Sequence, residues 1–131
     1  MPVPLSIEQL NHVARPTKRL EACRRFWVDV MGAREISRPG FSFGGSWLLL
    51  AGIQIHLIED AGAPDPPESI NTRERHMAFA VPDVDQMERV LQQHGIKYKR
   101  SLIADRGVHQ IFFRDPDGHL IEIGKYGVID R

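Results

Sequence analysis

Cysteine is almost absent from this chain, and so are long apolar runs. Cys23 is the single cysteine among 131 residues, so an intrachain disulfide is impossible and a reducing, cytoplasmic compartment is expected. No apolar run reaches the roughly 20 residues that span a bilayer. The first residues also lack the basic-then-apolar pattern of a secretory signal. We therefore expect a soluble protein with no membrane partner.

The sequence also lacks an excess of either charge. Lysine and arginine total 17, aspartate and glutamate total 17, and the formal net charge is zero. Nucleic-acid-binding surfaces usually need a basic excess, so no nucleic-acid partner is expected. The hydrophobic fraction of 42% and the chain length are ordinary for one globular domain covering residues 1–131.

The order of predicted elements occurs twice along the chain. In the first half, strands are predicted at 7–14, 47–50 and 53–58, with a helix at 18–31 that ends at Gly32. A proline-rich linker follows at 59–74. In the second half, strands are predicted at 76–81, 96–103, 108–114 and 119–125, with a helix that runs to about residue 94. Pro16 and Pro82 follow the two first strands and are expected to end them. We interpret the chain as two βαβββ modules, at about 7–58 and 75–126.

Four polar residues that can bind metals lie inside apolar strands. They are His12 and His56, which are 44 residues apart, and His76 and Glu122, which are 46 residues apart. A polar side chain in such a strand is costly without a partner. A shared divalent metal would supply one, since imidazole and carboxylate are common ligands. A lone histidine is more often structural, but the matched positions favour the metal site.

Alternation along each strand predicts which face these residues occupy. Each candidate ligand points away from the bulkiest side chains of its strand. Ala14, Ala78 and Gly124 lie two positions beyond three of the four ligands, which leaves room for a pocket. A sheet curved around this polar face would bring all four to one centre.

Other reactive side chains receive simpler interpretations. Cys23 is expected to be a small buried hydrophobic residue on the first helix. His119 points away from Glu122 by parity and is expected at the surface. Arg100 belongs to a basic cluster that is mostly solvated, although it could reach an anionic substrate.

Residues 10–14, 75–83 and 113–123 resemble the vicinal oxygen chelate superfamily, which includes glyoxalase I, fosfomycin and bleomycin resistance proteins and extradiol dioxygenases. The third segment, with its Asp-Pro-Asp-Gly turn, is the most specific. The resemblance implies an α+β fold in which two βαβββ modules form a cupped, barrel-like eight-stranded sheet. It also implies a homodimer, and in several members the two halves of each site come from different subunits.

The resemblance to glyoxalase I also assigns site residues. Its metal ligands match His12, His56, His76 and Glu122, except that glyoxalase I has a glutamate at the position of His56. Glyoxalase isomerisation moves a proton between adjacent carbons with carboxylates as base and acid, and here only Glu122 remains. Arg15 falls where an arginine is expected at the glutathione end. Asp60 replaces an asparagine there, and its charge disfavours glutathione.

The expected activity is that of a lyase or isomerase of the glyoxalase type acting on a small molecule. It would use one divalent metal (Ni, Co, Mn, Fe or Zn), with Glu122 moving the proton and glutathione as a candidate co-substrate. Three alternatives stay open. The first is an Fe(II) or Mn(II) extradiol-type dioxygenase with His12, His76 and Glu122 as ligands and His56 as an acid-base group. The others are a fosfomycin-type thiol transferase and a non-enzymatic small-ligand-binding protein.

Overall fold

Two copies of one βαβββ module form the fold, as the sequence predicted. The computed structural model describes residues 1–105 and 107–126. The first module contains β1 (His12–Thr17), α1 (Leu20–Asp29), β2 (Arg34–Ile36), β3 (Gly45–Leu50) and β4 (Ile53–Glu59). The second contains β5 (His76–Ala80), α2 (Val84–Gln93), β6 (Tyr98–Ile103), β7 (Val108–Arg114) and β8 (Leu120–Gly124).

The strands form two four-stranded sheets with the same topology. Their orders are β1-β4-β3-β2 and β5-β8-β7-β6. The pairs β1–β4 and β5–β8 are parallel, and the other pairs are antiparallel. The sequence predicted one barrel-like eight-stranded sheet, whereas the described strands form two separate four-stranded sheets. Pairing stops at the edge strands β1 and β5, so the described strands close no barrel.

One hydrophobic core joins the two modules. Trp27 of α1, Leu48 and Ile55 of the first sheet, and Phe113 and Ile121 of the second sheet are almost completely buried in it. Burial of such side chains contributes about 1.5–3 kcal/mol each. The opposite face of each sheet is therefore left for the polar strand residues. Neither helix within the described residues is long and apolar enough to cross a membrane.

The beginning of the first module differs from the prediction. Residues 1–11 form neither helix nor strand, and β1 continues through Pro16. Because β1 pairs only with β4, a proline without an N–H group is tolerated there. The helix begins at Leu20, and the Arg19 N–H donates to the Thr17 hydroxyl oxygen at 3.0 Å. The three-residue β2 was not predicted, since it is too short to show a period.

A buried carboxylate ties α1 to the turn before β8. Asp115 accepts hydrogen bonds from Trp27 Nε1 (3.2 Å), Cys23 Sγ (3.4 Å) and His119 Nδ1 (2.8 Å). Burial alone raises the pKa of Asp115, but the hydrogen bonds and charge of His119 hold it below its usual value. The surface position expected for His119 is therefore wrong, since its side chain is 20% exposed. Cys23 is buried, as expected.

Candidate functional site

The second module brings His76 and Glu122 into contact. Nε2 of His76 lies 3.1 Å from Oε1 of Glu122, and Glu122 is only 7% exposed. The contact follows from strand register, because Glu122 pairs with Ala78, two residues after His76 on the neighbouring parallel strand. Nδ1 of His76 lies 2.6 Å from the Glu74 carbonyl oxygen, which orients the ring with Nε2 toward the carboxylate.

The second carboxylate oxygen of Glu122 is held by two hydrogen-bond donors that were not predicted from the sequence. Gln110 Nε2 donates to Oε2 at 3.1 Å, and the Tyr126 hydroxyl donates to the same oxygen. Burial and the neighbouring carboxylate raise the pKa of Tyr126. The Tyr126 ring occupies the space beside Gly124, where a Cβ would lie 2.7 Å from Tyr126 Cζ. The room expected beside Gly124 thus holds a tyrosine that orients Glu122.

The first module brings His12 and His56 together as a stacked pair. Their ring centroids are 4.0 Å apart with planes 14° apart. Trp47 stacks on the other face of His56, at 4.0 Å and 3°. Nε2 of His56 lies 2.9 Å from Gln54 Oε1. Burial, together with the positive charge that His12 can carry, lowers the pKa of His56, and this favours the neutral imidazole that binds metals.

An aromatic pocket of 410 Å³ opens beside the His12–His56 pair. Its walls include Phe41, Phe43 and Trp47. The two exposed phenylalanines stack at 4.9 Å, and the Arg38 guanidinium lies 5.0 Å and 5.3 Å from their ring centroids. This pocket was not predicted from the sequence, although alternation along the strands places Trp47 on the face of His56, with which it pairs across β3 and β4. An apolar or planar group could pack here.

The four predicted ligands therefore lie in two pairs that occupy equivalent positions. His56 pairs with Ala14 as Glu122 pairs with Ala78, and His12 and His76 each precede those alanines by two residues. The pairs are on different sheets. Within residues 1–105 and 107–126, no group of three or more His, Cys, Asp or Glu side chains could hold a metal ion. The single four-ligand centre is not assembled within the described part of one chain.

The geometry of the His76–Glu122 pair fits part of a metal site. Two ligands bound at 2.0–2.2 Å to one ion lie roughly 3.0–3.5 Å apart, and the His76–Glu122 separation of 3.1 Å is within this range. Imidazole nitrogen and carboxylate oxygen donors suit divalent transition metals. The residues present are thus compatible with the expected metal.

The two predicted substrate residues lie away from both pairs. Arg15 is on the opposite face of β1 from His12, since it pairs with the core residue Leu57. Arg100 faces α2, where its guanidinium lies 2.8 Å from carboxylate oxygens of Asp85 and Glu88. The structure does not bring either arginine to a predicted ligand.

Comparisons with known proteins cover almost the whole chain. The model of the Glyoxalase/Bleomycin resistance protein/Dioxygenase superfamily matches residues 9–123. Glyoxylase I 4 of Arabidopsis thaliana is 36% identical over 128 residues, which are 92% of this chain and 72% of that protein. Uncharacterized protein YaeR of Escherichia coli K12 is 29% identical over 91% of this chain and 97% of its own length.

The fold is also shared with a solved resistance protein. A point mutant of the fosfomycin resistance protein FosX from Listeria monocytogenes was crystallised with Mn(II) and 1S,2S-dihydroxypropylphosphonic acid. It superposes with a TM-score of 0.79 at 22% identity and covers 94% of this chain and 95% of its own. The family match, the duplicated βαβββ fold and the two equivalent pairs agree. The chain belongs to the Glyoxalase/Bleomycin resistance protein/Dioxygenase superfamily.

Proposed function

We propose that the protein is a divalent-metal-dependent enzyme of the glyoxalase I type, a lyase or isomerase that acts on a hemithioacetal or a related small oxygen-chelating substrate. The observation that carries the proposal is the contact between His76 and the buried, doubly held carboxylate of Glu122. The 36% identity to a protein named Glyoxylase I 4 supports the same reaction class.

Glu122 is the proposed proton-transfer group. Its Oε2 atom accepts hydrogen bonds from Gln110 and Tyr126, so the carboxylate is held in one orientation before a substrate arrives. Such positioning favours general acid-base catalysis. His12, His56, His76 and Glu122 would hold the metal (Ni, Co, Mn, Fe or Zn), which would supply Lewis-acid chemistry at the substrate oxygens.

We further propose that a complete site forms between two copies of the chain. The His12–His56 pair of one copy would face the His76–Glu122 pair of the other, and a two-fold axis would create two such sites. The distribution of the pairs over two sheets supports this arrangement. The substrate would then bind between the aromatic pocket of one copy and Glu122 of the other.

A second candidate is an enzyme in which His56 does not bind the metal. Its Nε2 atom already lies 2.9 Å from Gln54 Oε1, and its ring lies between Trp47 and His12. His12, His76 and Glu122 would then be the three ligands and His56 an acid-base group. Extradiol-type dioxygenases and fosfomycin-type thiol transferases are the activities for this version.

The test begins with protein stripped of metal and reconstituted separately with each of the five ions. Metal content is measured by mass spectrometry, and activity is assayed with methylglyoxal plus glutathione and with catechol plus O2. We expect one ion per site and turnover of the hemithioacetal. O2 uptake with iron or manganese would favour the second candidate. Failure to bind any of the ions stoichiometrically would contradict both.

A further inference from the structure

A groove between the two modules is lined by both basic and acidic side chains. This intermodule groove has a volume of 490 Å³ and lies between β1, the segment at 63–75 and the turn before β8. Arg15 and Arg75 line it, together with Asp65, Glu74 and Asp117. It shares no lining residue with the pocket beside His12 and His56, and Arg15 is on the other face of β1 from His12.

The acidic residues of the groove already have cationic partners. Glu74 accepts from both Nη atoms of Arg114, at 2.6 Å and 2.8 Å. Asp117 lies 3.2 Å from Arg19 Nη1, and Asp65 lies 2.8 Å from Lys18 Nζ. These carboxylates are thus neutralised by side chains outside the pair of groove arginines. They do not supply a counter-ion for Arg15 or Arg75.

The two groove arginines have no such partner within the described residues. Neither guanidinium is within 4.0 Å of a described carboxylate. The hydrogen bond of Arg15 goes to the carbonyl oxygen of Ala14, at 3.3 Å. Burial lowers the pKa of Arg15, Asp115 opposes this effect, and the positive charge of Arg75 adds to it. Arg15 stays protonated nonetheless, because a guanidinium does not lose its proton in proteins.

A half-buried guanidinium close to a second one is unfavourable unless an anion lies nearby. The charge of Asp115 offsets part of this cost, but Asp115 forms no ion pair with Arg15, and its oxygens accept from Trp27, Cys23 and His119. The groove therefore contains two guanidinium groups and enough volume for a multi-atom ligand. Each carboxylate among its described lining residues already has a cationic partner. This is the chemistry of an anion site.

We propose that the intermodule groove binds a small oxyanion, a carboxylate or a phosphate group, between Arg15 and Arg75. The planar guanidinium suits both, because its parallel N–H groups can donate to two oxygens at once. Pro64 and Pro67 also line the groove, and prolines restrict the movement of that segment. The site does not depend on the proposed metal centre.

Anion titrations of metal-free protein test the proposal. Inorganic phosphate and succinate are added separately, and binding is followed through the backbone amide signals by NMR. We expect saturable shifts at Arg15, Arg75 and His119. Saturation with only one of the two anions would identify the ligand class. Shifts that never saturate with either anion, or that centre on His12 and His56, would overturn the proposal.

Charge-matched variants distinguish a specific anion site from nonspecific electrostatic attraction. Arg75→Gln alters an exposed side chain and should weaken binding about tenfold or more, as the loss of a charge-assisted hydrogen bond predicts. Arg15→Gln should do the same, and Arg15→Lys should give an intermediate loss. Arg89→Gln removes an equal charge from the exposed face of α2 and should leave the affinity unchanged. Unchanged affinity in Arg75→Gln, or an equal loss in Arg89→Gln, would overturn the proposal even if Arg15→Gln fails to fold.

Discussion

Nε2 of His76 lies 3.1 Å from Oε1 of Glu122, although 46 residues separate them in the sequence. The parallel pairing of β5 with β8 creates this contact, because it sets Glu122 opposite Ala78. The same register in β1 and β4 sets His56 opposite Ala14. The two modules therefore place two polar pairs at equivalent positions, and each pair can be tested separately.

Loss of either member of the second pair should prevent tight metal binding. We expect His76→Ala and Glu122→Ala to retain far less than one ion per site, because each removes one of the proposed ligands. Metal content after dialysis, measured by mass spectrometry, is the readout. His94→Ala, which changes the C-cap of α2, is the control and should bind normally. Stoichiometric metal in both ligand variants would refute the four-ligand site.

Mixing two inactive variants should restore activity if the site is shared. A mixed dimer of His12→Ala and Glu122→Ala chains would contain one intact site and one doubly damaged site. Random exchange should then recover about a quarter of the wild-type activity. The control mixture, His12→Ala with His56→Ala, leaves one lesion in every site and should stay inactive. Confirmed mixed dimers without recovery would show that the sites are not divided in this way.

The hydroxyl group of Tyr126 should increase kcat by orienting Glu122. We expect Tyr126→Phe to lower kcat about tenfold, because Glu122 loses one charge-assisted hydrogen bond. Gly124→Ala should have a similar effect, since its Cβ would lie 2.7 Å from the Tyr126 ring. Tyr98→Phe, whose hydroxyl contacts Gln92, is the matched control. Steady-state kinetics that give wild-type kcat for both site variants would exclude this positioning role.

Acid should weaken the junction around Asp115. The pKa of this carboxyl is lower in the folded protein than its ordinary value of 3.8, so its stabilisation is complete above that value and is lost as the pH falls through the folded pKa. Asp115→Asn should reduce the free energy of unfolding by about 3 kcal/mol near neutral pH, and by less in acid. Urea unfolding followed by tryptophan fluorescence measures this.

The matched control for that junction is Glu8→Gln in the exposed N-terminal segment, which should not change stability. A difference between Asp115→Asn and the wild type that does not shrink as the pH is lowered would contradict the assigned role of the charged carboxylate. The loss would then come from packing alone.

The sequence was sufficient to predict the two βαβββ modules and the strand faces on which the candidate ligands lie. These features follow from local periodicity and from the repeat, which a single sequence shows directly. Pro16 was misinterpreted because its effect depends on whether the strand lies at an edge of the sheet. That position is set by tertiary pairing, which local patterns do not show.

The surroundings of the ligands could not be predicted in the same way. Tyr126 and Gln110 reach Glu122 only because the β7–β8 register and the chain after β8 place them there. Arg100 is held by Asp85 and Glu88 of α2, a contact between elements whose relative position the sequence leaves open. Alternation along β1 alone predicts that Arg15 lies on the other face of the strand from His12. The resemblance to glyoxalase I instead assigned Arg15 to the substrate site.

The position of Pro16 in the edge strand β1 has a consequence for self-association. An exposed edge offers unpaired N–H and C=O groups to any extended chain that approaches, which is a common route to aggregation. Pro16 has no N–H group, so a strand that paired with this edge would lack one hydrogen bond two residues beyond Ala14. Pro16, which was predicted to end the strand, is therefore expected to disfavour the addition of a further strand at this edge.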